Sequence, residues 1–246
     1  MSLPVHLVPS LAGVVRGAVI EVSGDEAHHA VAVRRLREGE HVVLTDGVGT
    51  SATGSVASTG KRLFTVTVSD VTHRERPAPA FTVVQALPKG ERGELAVEVL
   101  TEVGVDRIVP WAASRSVTVW KGERAAKSHA KWQATAREAA KQSRRSWHLA
   151  VALPATTVDV AALVSEADLA LVLHEDATDS LAGLDVPAAG RIVVVVGPEG
   201  GITPDELAVL TAAGALSVRL GDEVLRTSTA GVVAVAALLS RTSRWR

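Results

Sequence analysis

An aliphatic run in the second half of the chain, residues 192–196 (Ile-Val-Val-Val-Val), stops at Gly-Pro-Glu-Gly-Gly, residues 197–201. The next segment places Thr203 three residues before Glu206, with Pro204 between them. This is the spacing of a helix capping box with proline at the first helical position. A buried strand followed by a glycine-rich loop and a helix is how α/β proteins build small-molecule sites, because backbone without side chains admits a ligand closely. The segment therefore predicts an α/β domain with a ligand at this loop, and a tight turn without a ligand is the alternative.

The composition indicates a chain with a substantial apolar core. Apolar residues make up 47% of the 246 residues, and there is no cysteine, so disulfides and thiolate metal sites are excluded. No metal-binding spacing such as H-E-x-x-H is present. No stretch approaches the roughly 20 apolar residues that span a bilayer, and the N-terminus does not resemble a secretory leader. We expect a soluble cytoplasmic protein without a metal or membrane partner.

The net charge of -1 conceals two blocks of opposite charge. Residues 107–145 contain ten Lys or Arg and two acids, a balance of +8, whereas residues 146–212 contain ten acids and one base, a balance of -9. A basic segment of this kind is typical of a surface that binds a polyanion. The alternative is that the blocks are ordinary solvated helix faces or face each other.

The periodicity of apolar residues divides the chain into two domains. In residues 1–73, Val-rich stretches alternate with turn signals, which predicts a small β-barrel interrupted by one helix at 25–37. Residues 74–80 are polar and proline-rich and predict a linker. Residues 81–246 alternate strands and helices, which predicts a largely parallel α/β sheet. The strands expected there are 81–87, 108–111, 169–173, 192–196 and 217–220, and the helices are 93–103, 123–143 and 227–240.

Two other segments also lead from a buried strand into polar residues. His174 follows one predicted strand, and Gly221 and residues 226–229 (Arg-Thr-Ser-Thr) follow another. Because ligands in open α/β sheets bind where the carboxyl ends of strands meet, we expect these loops to join residues 197–201 at one site. A Ser or Thr at 227–228 is explained by helix capping alone. Arg226 is not, because a cation at a helix N-terminus is opposed by the helix dipole, so we expect it to have an anionic partner or a function.

The identity of the ligand is narrowed by the motifs that are absent. Residues 197–201 lack the Lys-Ser/Thr ending of a phosphate-binding P-loop and do not match G-x-G-x-x-G. ATP and dinucleotides are therefore not favoured, and neither is a nucleotide-binding regulator.

Four segments carry a resemblance to a known family: Gln85-Ala86-Leu87-Pro88-Lys89-Gly90, Glu102-Val103-Gly104-Val105, Gly197-Pro198-Glu199-Gly200-Gly201 and Leu220-Gly221-Asp222-Glu223-Val224-Leu225-Arg226-Thr227. In this order, over nearly the whole chain, they resemble the RsmE family, the methyltransferases that modify N3 of a uridine in 16S ribosomal RNA. Residues 28–40 are similar to the PUA-like RNA-binding domain of that family.

The resemblance implies a SPOUT fold with a deep trefoil knot for residues 81–246 and a PUA-like β-barrel for residues 1–73. It also implies a homodimer with the active site near the dimer seam, which suits the apolar final helix. In this family the knot loops hold S-adenosylmethionine in a bent conformation. Carried over by position, the cofactor-binding residues are Leu173, His174, Gly197, Pro198, Glu199, Gly200, Gly201, Leu220, Gly221, Val224, Leu225, Arg226, Thr227 and Ser228.

Arg226 is the expected catalytic residue, because a uridine N3 that loses its proton leaves negative charge on O2 and O4 that a cation can stabilise. The general base is left open between His174, water and an RNA phosphate. Many relatives have a glutamate where this chain has Ser228, so no role of that carboxylate carries over.

The expected partner is 16S rRNA within the small ribosomal subunit. The residues predicted to contact it are Arg34, Arg35, Arg37, Lys89, Arg115, Arg137, Arg144 and Arg145. Four tryptophans bracket the basic block, and one of them is a candidate to stack on a splayed base, with core packing as the alternative; they are Trp111, Trp120, Trp132 and Trp147. The alternative functions are a SPOUT methyltransferase for another rRNA or tRNA position, and a non-catalytic RNA-binding assembly protein.

Overall fold

The computed structural model describes residues 3–245 and divides into two compact units. The first contains the described residues up to Arg76 together with Lys141–His148. The second contains Pro77–Ala140 and the described residues from Leu149 onward.

The first unit is built on a five-stranded sheet with the order β1-β3-β4-β5-β2. Only the β1–β3 pairing is parallel, and the other pairings are antiparallel. Its core contains Phe64, Val42 and Leu44, which are fully buried. The expectation of a β-rich first domain is thus confirmed. The strands are β1 Val5–Leu7, β2 Val19–Ser23, β3 His41–Thr45, β4 Thr50–Thr59 and β5 Leu63–His73.

The helix predicted at 25–37 is shorter and less regular than expected. The α-helix α1 covers Gly24–His28 and continues as a π-helical turn over His29–Val33. Arg35 then adopts a φ of 57°, the left-handed region, which ends any right-handed helix. Only the small side chains of Ala27 and Ala30 are buried along this segment, so little packing holds it in one regular helix.

The second unit contains a seven-stranded sheet with the order β10-β12-β9-β11-β6-β7-β8, and every pairing in it is parallel. This confirms the parallel α/β sheet expected from the sequence; the trefoil knot stays a prediction. Short β8 and β10 and helix α4 were not expected. The strands are β6 Ala80–Ala86, β7 Arg107–Trp111, β8 Ala150–Val151, β9 Leu169–Leu173, β10 Asp179–Ser180, β11 Arg191–Val196 and β12 Leu216–Arg219. The helices are α2 Arg92–Val103, α3 Gly122–Gln142, α4 Thr157–Ser165, α5 Pro204–Ala212 and α6 Thr227–Leu239.

Both faces of this sheet are covered, as an all-parallel sheet requires. Side chains of β11 alternate: Val194 packs in the core that includes α2 and α6, and Val195 packs in the core that includes α4 and α5. Helix α6 approaches the sheet closely, because a Cβ on Gly231 would lie 3.2 Å from a methyl of Val196. Within residues 3–245, no helix is long and apolar enough to cross a membrane.

Candidate active site

Three loops of the second unit meet because their strands are neighbours. Strands β12, β9 and β11 lie side by side, with Leu173 paired to Val218 on one side and to Val196 on the other. The His174 backbone N–H also donates to the Val218 carbonyl at 3.0 Å. The carboxyl ends of all three strands therefore open onto one cavity of about 780 Å³. Cavities that hold cofactor-sized ligands span roughly 300–1,000 Å³.

The cavity is lined by nearly all the residues predicted to bind the cofactor. These are Leu173, His174, Gly197, Pro198, Glu199, Gly200, Gly201, Leu220, Gly221, Val224, Leu225, Arg226 and Thr227. Ser228 is the exception: it is buried in the first turn of α6 and is not among the lining residues.

The glycines of the 197–201 loop are required by its geometry. A Cβ on Gly197 would lie 2.7 Å from Cγ1 of Ile202, and one on Gly200 would lie 3.1 Å from Cβ of Arg115. Gly201 adopts a φ of +75°, which disfavours any other residue. Gly221 differs, since its φ is not positive and the nearest atom to its Cβ position is Oε2 of Glu223 at 3.6 Å. The first loop thus needs glycine for its own shape, independently of a ligand.

A second segment, the connection from β7 to α3, holds the glycine loop in place. The Arg115 guanidinium donates from Nη1 to the Gly200 carbonyl at 3.1 Å. The neighbouring Ser114 backbone N–H donates to Oε1 of Glu206, in the first turn of α5, at 2.8 Å. Arg115 was predicted to bind RNA, and it lines the cavity.

Glu206 is buried, and both of its carboxylate oxygens are hydrogen-bonded. Oε1 also accepts from the Thr157 hydroxyl, and Oε2 accepts from the backbone N–H and hydroxyl of Thr203. Burial raises the pKa of this carboxyl, but the bonds from Ser114 and Thr203 outweigh burial and the pKa lies below its ordinary value of 4.5. The capping box predicted at Thr203 and Glu206 is confirmed and also anchors the β7–α3 connection.

Arg226 lies at the N-cap of α6 and is exposed at the cavity. Within residues 3–245, no carboxylate forms an ion pair with it. The first residue of the helix is Thr227. Nε2 of the fully buried Gln85 donates to its carbonyl at 3.3 Å and holds the start of the helix in place. Of the two expectations for Arg226, an anionic partner is not found among the described residues, and a function stays a prediction.

His174 is half-buried at the cavity, and its Nδ1 accepts a hydrogen bond from the Asp176 backbone N–H at 3.2 Å. In the neutral ring the proton therefore resides on Nε2, and neither nitrogen has a free lone pair. This geometry disfavours His174 as a general base.

The residues predicted to contact RNA fall in both units. Arg34, Arg35 and Arg37 are exposed in the first unit, and Lys89 and Arg137 are exposed in the second. Arg144 does not lie on the helical face of Arg137, because α3 ends at Gln142 and Arg144 has a φ of 55°. Arg144 is exposed, whereas the half-buried Arg145 donates from Nε to the Trp147 carbonyl at 2.9 Å.

Arg92 lines the large cavity and was not predicted from the sequence. Its guanidinium lies 3.6 Å from the Glu199 carboxylate, which also accepts from the Lys89 backbone N–H. Arg92 lies in the first turn of α2, just after the Gln85–Gly90 motif, and this position could have indicated that it belongs to the site. The hydrogen bond from Gln85 to the start of α6 was also missed. Its two partners are far apart in the sequence, so no local sequence pattern indicates it.

Comparison with known proteins bears directly on this site. A family model described as an RNA methyltransferase domain matches residues 74–239, and one described as an RNA methyltransferase PUA domain matches residues 22–69. The ribosomal RNA small subunit methyltransferase E of Mycobacterium bovis is 47% identical over 233 residues, covering 93% of this chain and 89% of the relative. That of Bacillus subtilis is 29% identical, covering 92% of this chain and 91% of the relative.

A solved structure is also similar over nearly the whole chain. The ribosomal RNA small subunit methyltransferase E of Neisseria gonorrhoeae, bound to S-adenosyl methionine, has a TM-score of 0.87 and 26% identity, with 98% of each chain covered.

Proposed function

Since the chain belongs to the ribosomal RNA small subunit methyltransferase E family, we propose that it methylates N3 of one uridine in the 16S RNA of the small ribosomal subunit. It is an RNA methyltransferase, and S-adenosylmethionine is its methyl donor. The observation that supports the site assignment is the convergence of three loops on one cavity, with the unpaired Arg226 at its edge.

The cavity fits the cofactor in size and in the character of its walls. Gly197, Gly200 and Gly201 keep side chains away from one wall, so backbone groups there can meet an adenosine directly. Leu173, Leu220 and Leu225 supply apolar surface. S-adenosylmethionine would be held by these residues, and when bound it supplies a methyl group already activated by its sulfonium.

The remaining chemistry falls to residues of the chain. Uracil N3 becomes nucleophilic when its proton leaves, and the negative charge then spreads to O2 and O4. The Arg226 guanidinium, which forms no ion pair with a carboxylate among the described residues, stabilises that charge. The rest of the rate acceleration comes from the positioning of the two substrates. Hydrogen bonds of Gln85 and Glu206 hold two of the cavity loops in place for this. The proton acceptor in this proposal is water or an RNA phosphate, since the Nδ1 lone pair of His174 accepts from the Asp176 backbone N–H.

The two domains divide the work in this proposal. Residues 1–73 bind RNA through Arg34, Arg35 and Arg37, residues 74–80 link the domains, and residues 81–246 catalyse the transfer. The other proposed RNA contacts are Lys89, Arg115 and Arg137 in the catalytic domain, and Arg144 and Arg145 in the segment that belongs to the first compact unit. The enzyme acts in the cytoplasm as a knotted homodimer, and Val233, which is 43% exposed on the apolar α6, supports a seam on that helix.

The test is a methyl-transfer assay with small-subunit particles that lack the modification. We expect radiolabelled methyl from S-adenosylmethionine to enter 16S RNA at one uridine, and mass spectrometry of the digested RNA to show N3-methyluridine. Methyl transfer to transfer RNA, or at another rRNA position, would instead favour the alternative enzyme. Tight cofactor binding without transfer to any RNA would favour a non-catalytic assembly protein.

A further inference from the structure

A second, smaller cavity of about 200 Å³ lies in the second unit beside the N-terminal turn of α2. Trp120 and Trp132 form one side of it, with ring centroids 5.0 Å apart and planes at 79°. Gly93 forms another part of the wall, and a Cβ there would lie 2.9 Å from the Trp132 indole. Trp132 is buried, while Trp120 is half-buried. The aromatic wall is thus fixed in place and partly accessible.

Glu94, one of the residues that line this cavity, has a carboxylate oxygen that lacks a donor. Its Oε1 lies 3.0 Å from Nζ of Lys131. Its Oε2 is buried and has no hydrogen-bond partner among residues 3–245. Because buried polar atoms in folded proteins nearly always have partners, an unpaired carboxylate oxygen on a residue that lines a cavity points to a ligand with an N–H group.

The charged residues near the cavity favour one of two kinds of ligand that carry an N–H group. An aromatic wall beside a carboxylate suits either an alkylammonium cation or a nucleobase with a donor edge. The exposed residues Lys89, Lys121, Lys127 and Lys131 are each adjacent in sequence to a lining residue. Lys131 is paired with Glu94, and the exposed Glu91 is also adjacent to a lining residue, but the three other lysines leave an excess of positive charge. That excess repels a cation and attracts the phosphates on either side of a base.

The small cavity lies next to the proposed active site. Gly90, Gly93 and Glu94 line the small cavity, whereas Arg92, in the same turn, lines the large one. The uridine that is methylated must present its N3 to the large cavity, so it cannot also occupy the small one. A base in the small cavity therefore belongs to a neighbouring nucleotide.

From these contacts, and resting on the proposed RNA substrate, we propose that the small cavity binds a second nucleobase of the RNA, splayed from its stack against Trp120 and hydrogen-bonded through an N–H to Glu94. Guanine suits it best, because its N1–H and N2–H lie on one edge, so that either can donate to the unpaired Oε2 of Glu94. Glu94 and Trp120 thereby help to select the sequence around the methylated uridine.

The probe is guanosine 5′-monophosphate, titrated into the full-length protein while the indole N–H signals of the tryptophans are followed by NMR. The signals of Trp120 and Trp132 should shift and saturate. Glu94→Gln should weaken binding about 10-fold, since it removes a charged acceptor, and Trp120→Ala at least about fivefold through lost stacking. Glu98→Gln, an exposed acid on the same helix, and Trp245→Ala, an exposed tryptophan, are the matched controls. S-adenosylmethionine affinity reports whether each variant is folded.

The same variants are then assayed on small-subunit particles, where Glu94→Gln should raise KM several-fold relative to Glu98→Gln. The proposal is overturned if guanosine monophosphate shifts neither indole signal, or if neither variant changes its affinity or the KM. Failure of the wild-type protein to methylate any particle would count against the proposed function instead, and the nucleotide titration is independent of that result.

Discussion

The Glu206 carboxylate accepts a hydrogen bond from the Ser114 backbone N–H at 2.8 Å, across 92 residues of sequence. Ser114 precedes Arg115, which donates to the Gly200 carbonyl in the glycine loop. A buried acid in α5 thus fixes both the start of its own helix and the segment that braces the proposed cofactor loop. Its pKa is lowered in the fold, so its contribution to stability is present above the ordinary pKa of 4.5 and is lost as the pH falls below it.

Replacing Glu206 with Ala should lower the free energy of unfolding at neutral pH by about 1–3 kcal/mol, because several partly buried hydrogen bonds lose their acceptor. It should also weaken S-adenosylmethionine binding by releasing the Arg115 contact. Urea unfolding and calorimetry measure the two effects. Asp205→Ala is the control, since this exposed acid occupies the same helical turn and only its interaction with the helix dipole, about 0.3–1 kcal/mol, is lost. Equal effects of the two substitutions would contradict the bracing role.

Glu26 in the first unit should make that unit sensitive to acid. Burial raises the pKa of its carboxyl, but hydrogen bonds from His6 and Lys141, at 3.2 and 3.0 Å, outweigh burial and lower the pKa to about 2. Because the folded pKa lies below 4.5, the stabilisation is complete above that pH and disappears as the pH falls toward 2. The free energy of unfolding of Glu26→Gln should therefore vary less with pH in this window than that of the wild type. Glu21→Gln, an exposed acid in β2, should leave the wild-type profile unchanged.

The second unit was predictable from the sequence because its signals are local. The aliphatic runs of β9 and β11 are buried on both faces, and the capping box at Thr203 needs only four consecutive residues. The order of the strands was not predictable from periodicity, since it depends on which strands form hydrogen bonds along their edges, and these strands are far apart in the sequence. The convergence of three loops was therefore an expectation from the general behaviour of parallel sheets, and the strand order confirms it.

The details that sequence reasoning missed all depend on tertiary contacts. The helix expected at 25–37 ends early because Arg35 adopts a left-handed conformation, which no local pattern of arginines predicts. Arg144, just past the end of α3, also adopts a left-handed conformation. Gln85 and Glu206 act through partners 142 and 92 residues away, so no local pattern indicated the role of Gln85, and the capping spacing of Glu206 did not indicate its bond to Ser114.

Substituting Gly197 with Ala should reduce S-adenosylmethionine affinity at least about 10-fold. The added methyl would lie 2.7 Å from the buried Ile202 side chain, so the loop must shift. A displaced loop loses its aligned backbone contacts, and one or two hydrogen bonds correspond to roughly this change in affinity. Calorimetric titration measures it. Gly183→Ala, where the added atom meets nothing within 4 Å, should bind the cofactor normally.

Substituting Arg226 with Ala should lower kcat by about 10²–10³, the usual effect of removing one group that stabilises developing charge. Cofactor affinity should stay near that of the wild type, because backbone groups supply most contacts in the proposed site. Single-turnover methylation of small-subunit particles, combined with calorimetry, separates the two quantities. Arg219→Ala is a suitable comparison, since Arg219 also lines the cavity but is paired with Asp222 at 3.4 Å. An unchanged kcat in the Arg226 variant would remove this residue from the mechanism.

Replacing Arg34 with Gln and Arg35 with Asn should weaken RNA binding and its dependence on salt. Asn is chosen at position 35 because it tolerates the left-handed conformation there, so the backbone is preserved. Each lost phosphate contact should reduce the slope of log affinity against log salt by about 0.7–1. The slope distinguishes lost phosphate contacts from a general loss of folded protein, because a partly unfolded sample shows lower apparent affinity with the same slope. If affinity and slope both match the wild type, the first domain does not anchor the RNA through these arginines, and the exposed Lys89 and Arg137 of the catalytic domain become the next candidates.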